Sequence, residues 1–147
     1  GILNPSKNIV VSDISRADLQ DITAARIALE PAARLLAGRM TSAQDRALQK
    51  EIARQLAAVN GSDADALIRS EYAFHTMMAR FAGNRWIAEM VDTVNLANRR
   101  YLSLSENRNR HWEEAVREHR KILQAVEDRD AAEAGKRMQA HIGRTSG

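Results

Sequence analysis

The sequence predicts an all-α fold of six to seven helices, and three observations predict it. From Ser15 onward Ala, Leu, Arg, Glu and Gln dominate, and all of them favour helix. Apolar residues recur at alternating spacings of three and four, the period of a helix buried along one stripe. Side chains suited to capping helix ends stand where those stripes begin, and after Ser15 no strand pattern survives.

Residues 1–14 gather Gly, Pro, Asn and Ser around a short β-branched run, Ile9-Val10-Val11, without helical periodicity. They read as a linker or arm before a helical domain at 15–147. Ser15 to Asp18 and Thr41 to Gln44 have the spacing of capping boxes, and Asp130 stands as an N-cap three residues before Glu133. Pro31 cannot donate the internal hydrogen bond, so it ends a first helix or opens a second. Asn60-Gly61-Ser62 and Gly83-Asn84 break the chain again, and the polar run from Ser105 to Arg110 is the last long loop. These signals place helices at roughly 16–30, 31–40, 43–59, 63–82, 85–104, 111–127 and 131–142.

A chain of 147 residues is one domain's worth and long enough to bury its own core. It contains no cysteine, so it has neither disulfides nor thiolate metal ligands, and any metal would be held by His and carboxylates. The apolar runs are far too short to span a bilayer, and no signal-peptide pattern opens the chain, which is read as soluble and cytoplasmic with no membrane partner. Net charge is +3, which raises nucleic acid as a partner. Basic and acidic residues are interleaved along every helical stretch, however, and aromatics are 4% of the chain, too few for a stacking platform. Direct nucleic-acid binding by this segment is therefore not expected.

The informative residues are polar ones on apolar stripes. Arg26 falls on the stripe Leu19, Ile22, Arg26, Leu29, with Glu30 one turn on. Glu71 lies on the stripe Leu67, Glu71, Phe74, Met78, with His75 four residues later on nearly the same face. His119 and His141 occupy equivalent positions in the last two helices, whereas His111 opens a helix in a polar stretch and is read as exposed. Burying such groups unpaired costs several kcal/mol each. A divalent cation held by Glu71, His75, His119 and His141 would satisfy four of them together, and helix bundles build metal sites from inward-facing side chains of this kind. The residue types suit Zn, Ni, Mn, Fe or Co and alone do not choose among them. The bland alternative is separate core histidines, each bonded to a carbonyl, with Glu71 and His75 as a local pair. For Arg26 the alternatives are an ion pair with Glu30 or a clamp on a carboxylate ligand.

The stretch from Arg26 to Ala37, then Glu71-Tyr72-Ala73-Phe74-His75 with Gly83-Asn84, then Glu118 to Val126, and finally Met138 to Ile142 follow one another in a characteristic order. They resemble the effector-binding domain (FCD type) of the FadR branch of GntR-family bacterial transcription regulators, over roughly residues 15–142. The resemblance implies an antiparallel bundle enclosing a central metal and a small carboxylate effector. In metal-binding members the ligands are an Asp and three His, which fall here on Glu71, His75, His119 and His141. Glu71 keeps the carboxylate of the family Asp and adds a methylene.

Such regulators carry a winged helix-turn-helix domain before the sensor and act as dimers. None is present in these residues, so DNA would be bound only through that missing domain. The function read from the sequence is thus a non-enzymatic sensor. A small organic acid would complete the metal's shell, with Arg26 as clamp and Asn98, Arg99 and Tyr101 as further polar contacts. The rivals are a helix-bundle metalloenzyme acting on a small organic acid, which would need a general base beyond the four ligands, and a metal-free dimerisation module.

Overall fold

The computed structural model describes residues 14–105 and 111–145. Most of the expected arm (1–13) and most of the expected polar loop (106–110) lie outside them. The described residues form α1 (Arg16–Leu29), a 3-10 helix (Glu30–Leu36), α2 (Ser42–Asn60), α3 (Ala64–Phe81), α4 (Arg85–Leu104), α5 (Trp112–Glu127) and α6 (Ala131–Thr145). The all-α prediction holds, and the helix ends fall within a few residues of those read from the sequence.

Local chemistry explains the boundaries. In both predicted capping boxes the reciprocal bonds form. Ser15 Oγ accepts from Asp18 N at 3.1 Å while Asp18 Oδ2 accepts from Ser15 N at 2.8 Å, and Thr41 and Gln44 do the same at 3.1 and 3.0 Å. Asp130 Oδ1 accepts from Glu133 N at 3.0 Å at the start of α6. The expected α-helix at 31–40 is instead a tighter 3-10 segment ending at Leu36, with Pro31 in its first turn. Proline removes an N–H and clashes with the preceding turn, so the chain takes the shorter hydrogen-bonded repeat rather than continuing α1. Gly83 ends α3 with φ of +89°, where a Cβ would also lie 2.8 Å from Arg39 Nη2.

Turns of three residues join α2 to α3, α3 to α4 and α5 to α6, so these neighbours run antiparallel. Around the bundle α1 packs on α4, α4 on α3, α3 on α2, α2 on α5, α5 on α6 and α6 back on α1, which closes a ring. The 3-10 segment lies chiefly against α6. Leu36, Leu48, Phe74, Met78, Ile122, Met138 and Ile142 are fully buried in the core, each contributing about 1.5–3 kcal/mol by leaving water. Among the described residues no helix is long and apolar enough to cross a membrane.

Candidate metal centre and adjoining cavity

The buried polar residues meet at one place inside the ring. Glu71 and His75 come from α3, His119 from α5 and His141 from α6, and all four are buried. One ligand atom from each lies within 4.8 Å of all the others. His119 Nε2 is 3.0 Å from His141 Nε2, which is 3.3 Å from His75 Nε2. Glu71 Oε1 is 2.8 Å from His75 Nε2 and 3.7 Å from His141 Nε2, and Glu71 Oε2 is 2.9 Å from His119 Nε2. Donor atoms held about 2.0–2.1 Å from one divalent ion are separated by roughly 3 Å, and the spacing here is of that size.

The opposite ring nitrogens decide which atoms face inward. His75 Nδ1 is 2.5 Å from Glu30 Oε1 and His141 Nδ1 is 2.6 Å from Glu118 Oε1. A carboxylate only accepts, so each Nδ1 carries the hydrogen. His119 Nδ1 is 2.7 Å from Gln55 Oε1, and Gln55 Nε2 donates to the carbonyl of Ser70 at 3.3 Å, which leaves Oε1 to accept from the ring. A ring that is neutral with its hydrogen on Nδ1 presents a lone pair at Nε2, and His119 Nε2 and His141 Nε2 face each other at 3.0 Å. Glu71 Oε2 faces His119 Nε2 in the same way, acceptor to acceptor, and has no hydrogen-bond partner. Lone pairs converging in a buried place repel unless a proton or cation sits among them, so the residues present fit a divalent cation.

Electrostatics tie Glu71 to His75 and His119. Burial works against ionisation of Glu71, yet the charges of His119 and His75 outweigh it and hold the carboxyl well below its usual range. Burial likewise opposes a charge on His75, but Glu30 and Glu71 overcome it and raise that ring to about 9. His119 is pushed down to about 4, by burial first, against the pull of Glu71.

Two arginine–glutamate pairs back this cluster. Arg26, 2% exposed, bonds Glu30 Oε2 through Nε at 2.6 Å. On Glu30 burial is again the largest influence, and Arg26 with His75 outweighs it to bring the carboxyl to about 2. Arg144 bonds Glu118 through Nε at 2.5 Å and Nη2 at 2.7 Å. Arg26–Glu30–His75 and Arg144–Glu118–His141 are thus parallel chains, each ending on a ring of the cluster. Beside them lies a cavity of about 120 Å³ lined by Arg26, Glu71, Asn98, Leu102, Trp112 and Arg144, among others. Arg26 Nη2 is buried there without a hydrogen-bond partner.

The two sequence alternatives for Arg26 therefore meet in one residue, an ion pair with a spare donor beside a cavity. Asn98 is buried and lines that cavity. Arg99 and Tyr101 are not among its lining residues, and the Arg99 guanidinium instead lies 5.3 Å over the Tyr72 ring. On α4 the inward stripe is Val91, Asn95, Asn98, Leu102, and Arg99 is turned about 100° from Asn98. His111 is exposed, as expected, and precedes α5 at the cavity's rim. The sequence reading missed Gln55, Glu118 and Arg144. Gln55 was accessible to it, being a polar residue on the α2 stripe Leu48, Ile52, Gln55, Val59.

A family model described as the FCD domain matches residues 21–144. The chain belongs to the FCD domain family. This FCD domain is 25% identical over 134 residues to an uncharacterized HTH-type transcriptional regulator, YdhC, of Bacillus subtilis (strain 168), covering 90% of the chain and 60% of that relative. It also superimposes on a solved structure described as Streptococcus agalactiae GntR with a TM-score of 0.78 at 25% identity, covering 92% of this chain and 62% of that one. The chain thus spans about three-fifths of the length of these relatives. The resemblance to GntR-type regulators is shown at the level of the family, and the Bacillus relative carries the description of a transcriptional regulator.

Proposed function

We propose that this FCD domain is the ligand-sensing part of a GntR/FadR-type transcription regulator. In this reading Glu71, His75, His119 and His141 hold one divalent metal ion, Zn or Ni before Mn, Fe or Co, and the adjoining cavity takes a small carboxylate effector. The single observation that carries it is the convergence of three imidazole Nε2 atoms and a Glu71 oxygen that has no hydrogen-bond partner, beside an arginine with a spare donor. When bound, the ion supplies a fixed positive charge that attracts an anionic ligand. Arg26 offers its remaining N–H groups to the carboxylate, and Asn98 adds an amide that can donate or accept. Leu102 and Trp112 provide apolar walls that keep water from competing.

No further residue of the cluster is left to act as a general base, since Glu30 and Glu118 are each committed to an arginine and an imidazole. That and the relatives' descriptions support a sensor over a metalloenzyme. The complete regulator would be a dimer contacting DNA through a winged helix-turn-helix domain outside this chain, with residues 1–14 as linker. An effector changes DNA affinity only through different affinity for two arrangements of that dimer. Calorimetric titration of the metal-loaded domain with a panel of small organic acids tests the reading. Saturable heat with at least one acid, lost on metal removal, is expected; silence across the panel contradicts it.

A further inference from the structure

Resting on the metal-and-acid reading above, we propose that the acid recognised by this cavity is a short monocarboxylate of about six non-hydrogen atoms carrying a neutral oxygen near its carboxylate. Three properties of the site carry the inference. The first is its charge. Around the cluster stand the carboxylates of Glu71, Glu30 and Glu118 and the guanidinium groups of Arg26 and Arg144. Among these described groups, with the solvent-facing Glu114 left aside, a dication added to three negative and two positive charges leaves one uncompensated positive charge, which one carboxylate neutralises.

Neither arginine offers a second unmatched charge. Arg26 is ion-paired with Glu30 at 2.6 Å, and Arg144 meets Glu118 at 2.5 Å, with Glu114 a further 3.6 Å partner toward solvent. His111 at the rim adds a titratable ring but no fixed charge. A second carboxylate on the ligand would therefore enter a low-dielectric site as an excess negative charge, and such charges are strongly disfavoured there.

The second property is size. A cavity of about 120 Å³ is somewhat smaller than the roughly 150 Å³ that takes benzene with its six non-hydrogen atoms. The third is Asn98, which is buried against the cavity on α4 and both donates and accepts. Its amide can both donate to and accept from a hydroxyl, whereas the oxygens of a second anion only accept.

The test compares acids of one skeleton that differ in charge. The zinc-loaded Trp86→Phe domain leaves Trp112, on the cavity wall, as the sole indole reporter. It is titrated with lactate against malonate and with 2-hydroxybutyrate against malate, with zinc content measured before and after. Each monocarboxylate is expected to bind at least tenfold more tightly than its dicarboxylate counterpart. In Glu118→Gln, which removes one negative charge but keeps an acceptor for His141, the ratio should shift toward the dicarboxylate by about tenfold. Tighter or equal binding of the dicarboxylates, or a ratio unmoved by Glu118→Gln, overturns the inference while leaving an acid sensor intact. If no acid binds at all, the sensor reading itself fails, and this inference with it.

Discussion

Gln55 Oε1 stands 2.7 Å from His119 Nδ1, and through that one contact α2, which supplies none of the four candidate ligands, sets the tautomer of a ring on α5. His75 and His141 receive the same treatment from carboxylates, Glu30 and Glu118. His119 alone is held by a neutral amide, so its imidazole is the least electron-rich of the three donors.

Replacing Gln55 by Leu should therefore weaken metal binding by about 10–100-fold, the usual cost of losing an outer partner of a ligating histidine. Gln55→Glu should keep or strengthen it, because a carboxylate is the better acceptor. Competition against a chromophoric chelator measures both, and equal affinities for Leu and Glu variants would show that Gln55 plays no part in tuning the ring.

Arg26 is buried with Glu30 in an ion pair, and its removal leaves that interior carboxylate with His75 as its remaining charged partner. Arg26→Ala should cost about 3–5 kcal/mol in stability, the penalty of breaking such a pair from one side. Chemical denaturation supplies the number, and a loss below ~1 kcal/mol would mean that water reaches Glu30 once the guanidinium is gone.

Away from the site, Gly83 combines a φ of +89° with close approach of the Arg39 guanidinium. Gly83→Ala should lower stability by about 1–2 kcal/mol and leave metal affinity unchanged. A thermal melt read beside a metal titration separates these effects.

Glu127 gives a pH dependence with a definite sign. Burial, then the hydrogen bond and charge of Asp45, raise its carboxyl above 4.5 in the folded chain. A raised carboxyl pKa contributes stability that is present below the unfolded value and is lost as pH rises through the folded one. Glu127→Gln should thus raise the melting temperature at pH 7, with the gain shrinking as pH falls toward 4.5. Because Glu127 is only half-buried and water screens it, the effect should be small. A gain that persists unchanged at pH 4 would contradict this origin.

Much of the fold was legible because its signals are local. Ser15 with Asp18 and Thr41 with Gln44 declare helix starts from within four residues, and the α3 stripe places Glu71 and His75 on one face whatever the remaining chain does. Convergence with His119 and His141 could be argued from the cost of burying four polar groups separately, together with the family resemblance. The rest depends on which helices touch. Glu118 and Arg144 find each other only because α5 packs on α6, and Asn98 rather than Arg99 faces the cavity because of how α4 is rotated against α1 and α3. The 3-10 segment was missed for another reason. Pro31 announces a break, but periodicity does not distinguish a tight helix from an ordinary one over seven residues.

The central claim is that Glu71, His75, His119 and His141 bind one divalent ion. Titration of the chelator-stripped chain with zinc, repeated on His75→Ala, His119→Ala and His141→Ala, tests it directly. The account predicts one ion per chain, protons released on binding, and large loss of affinity in all three variants. Zinc that fails to bind, or that binds equally well without these histidines, would contradict it.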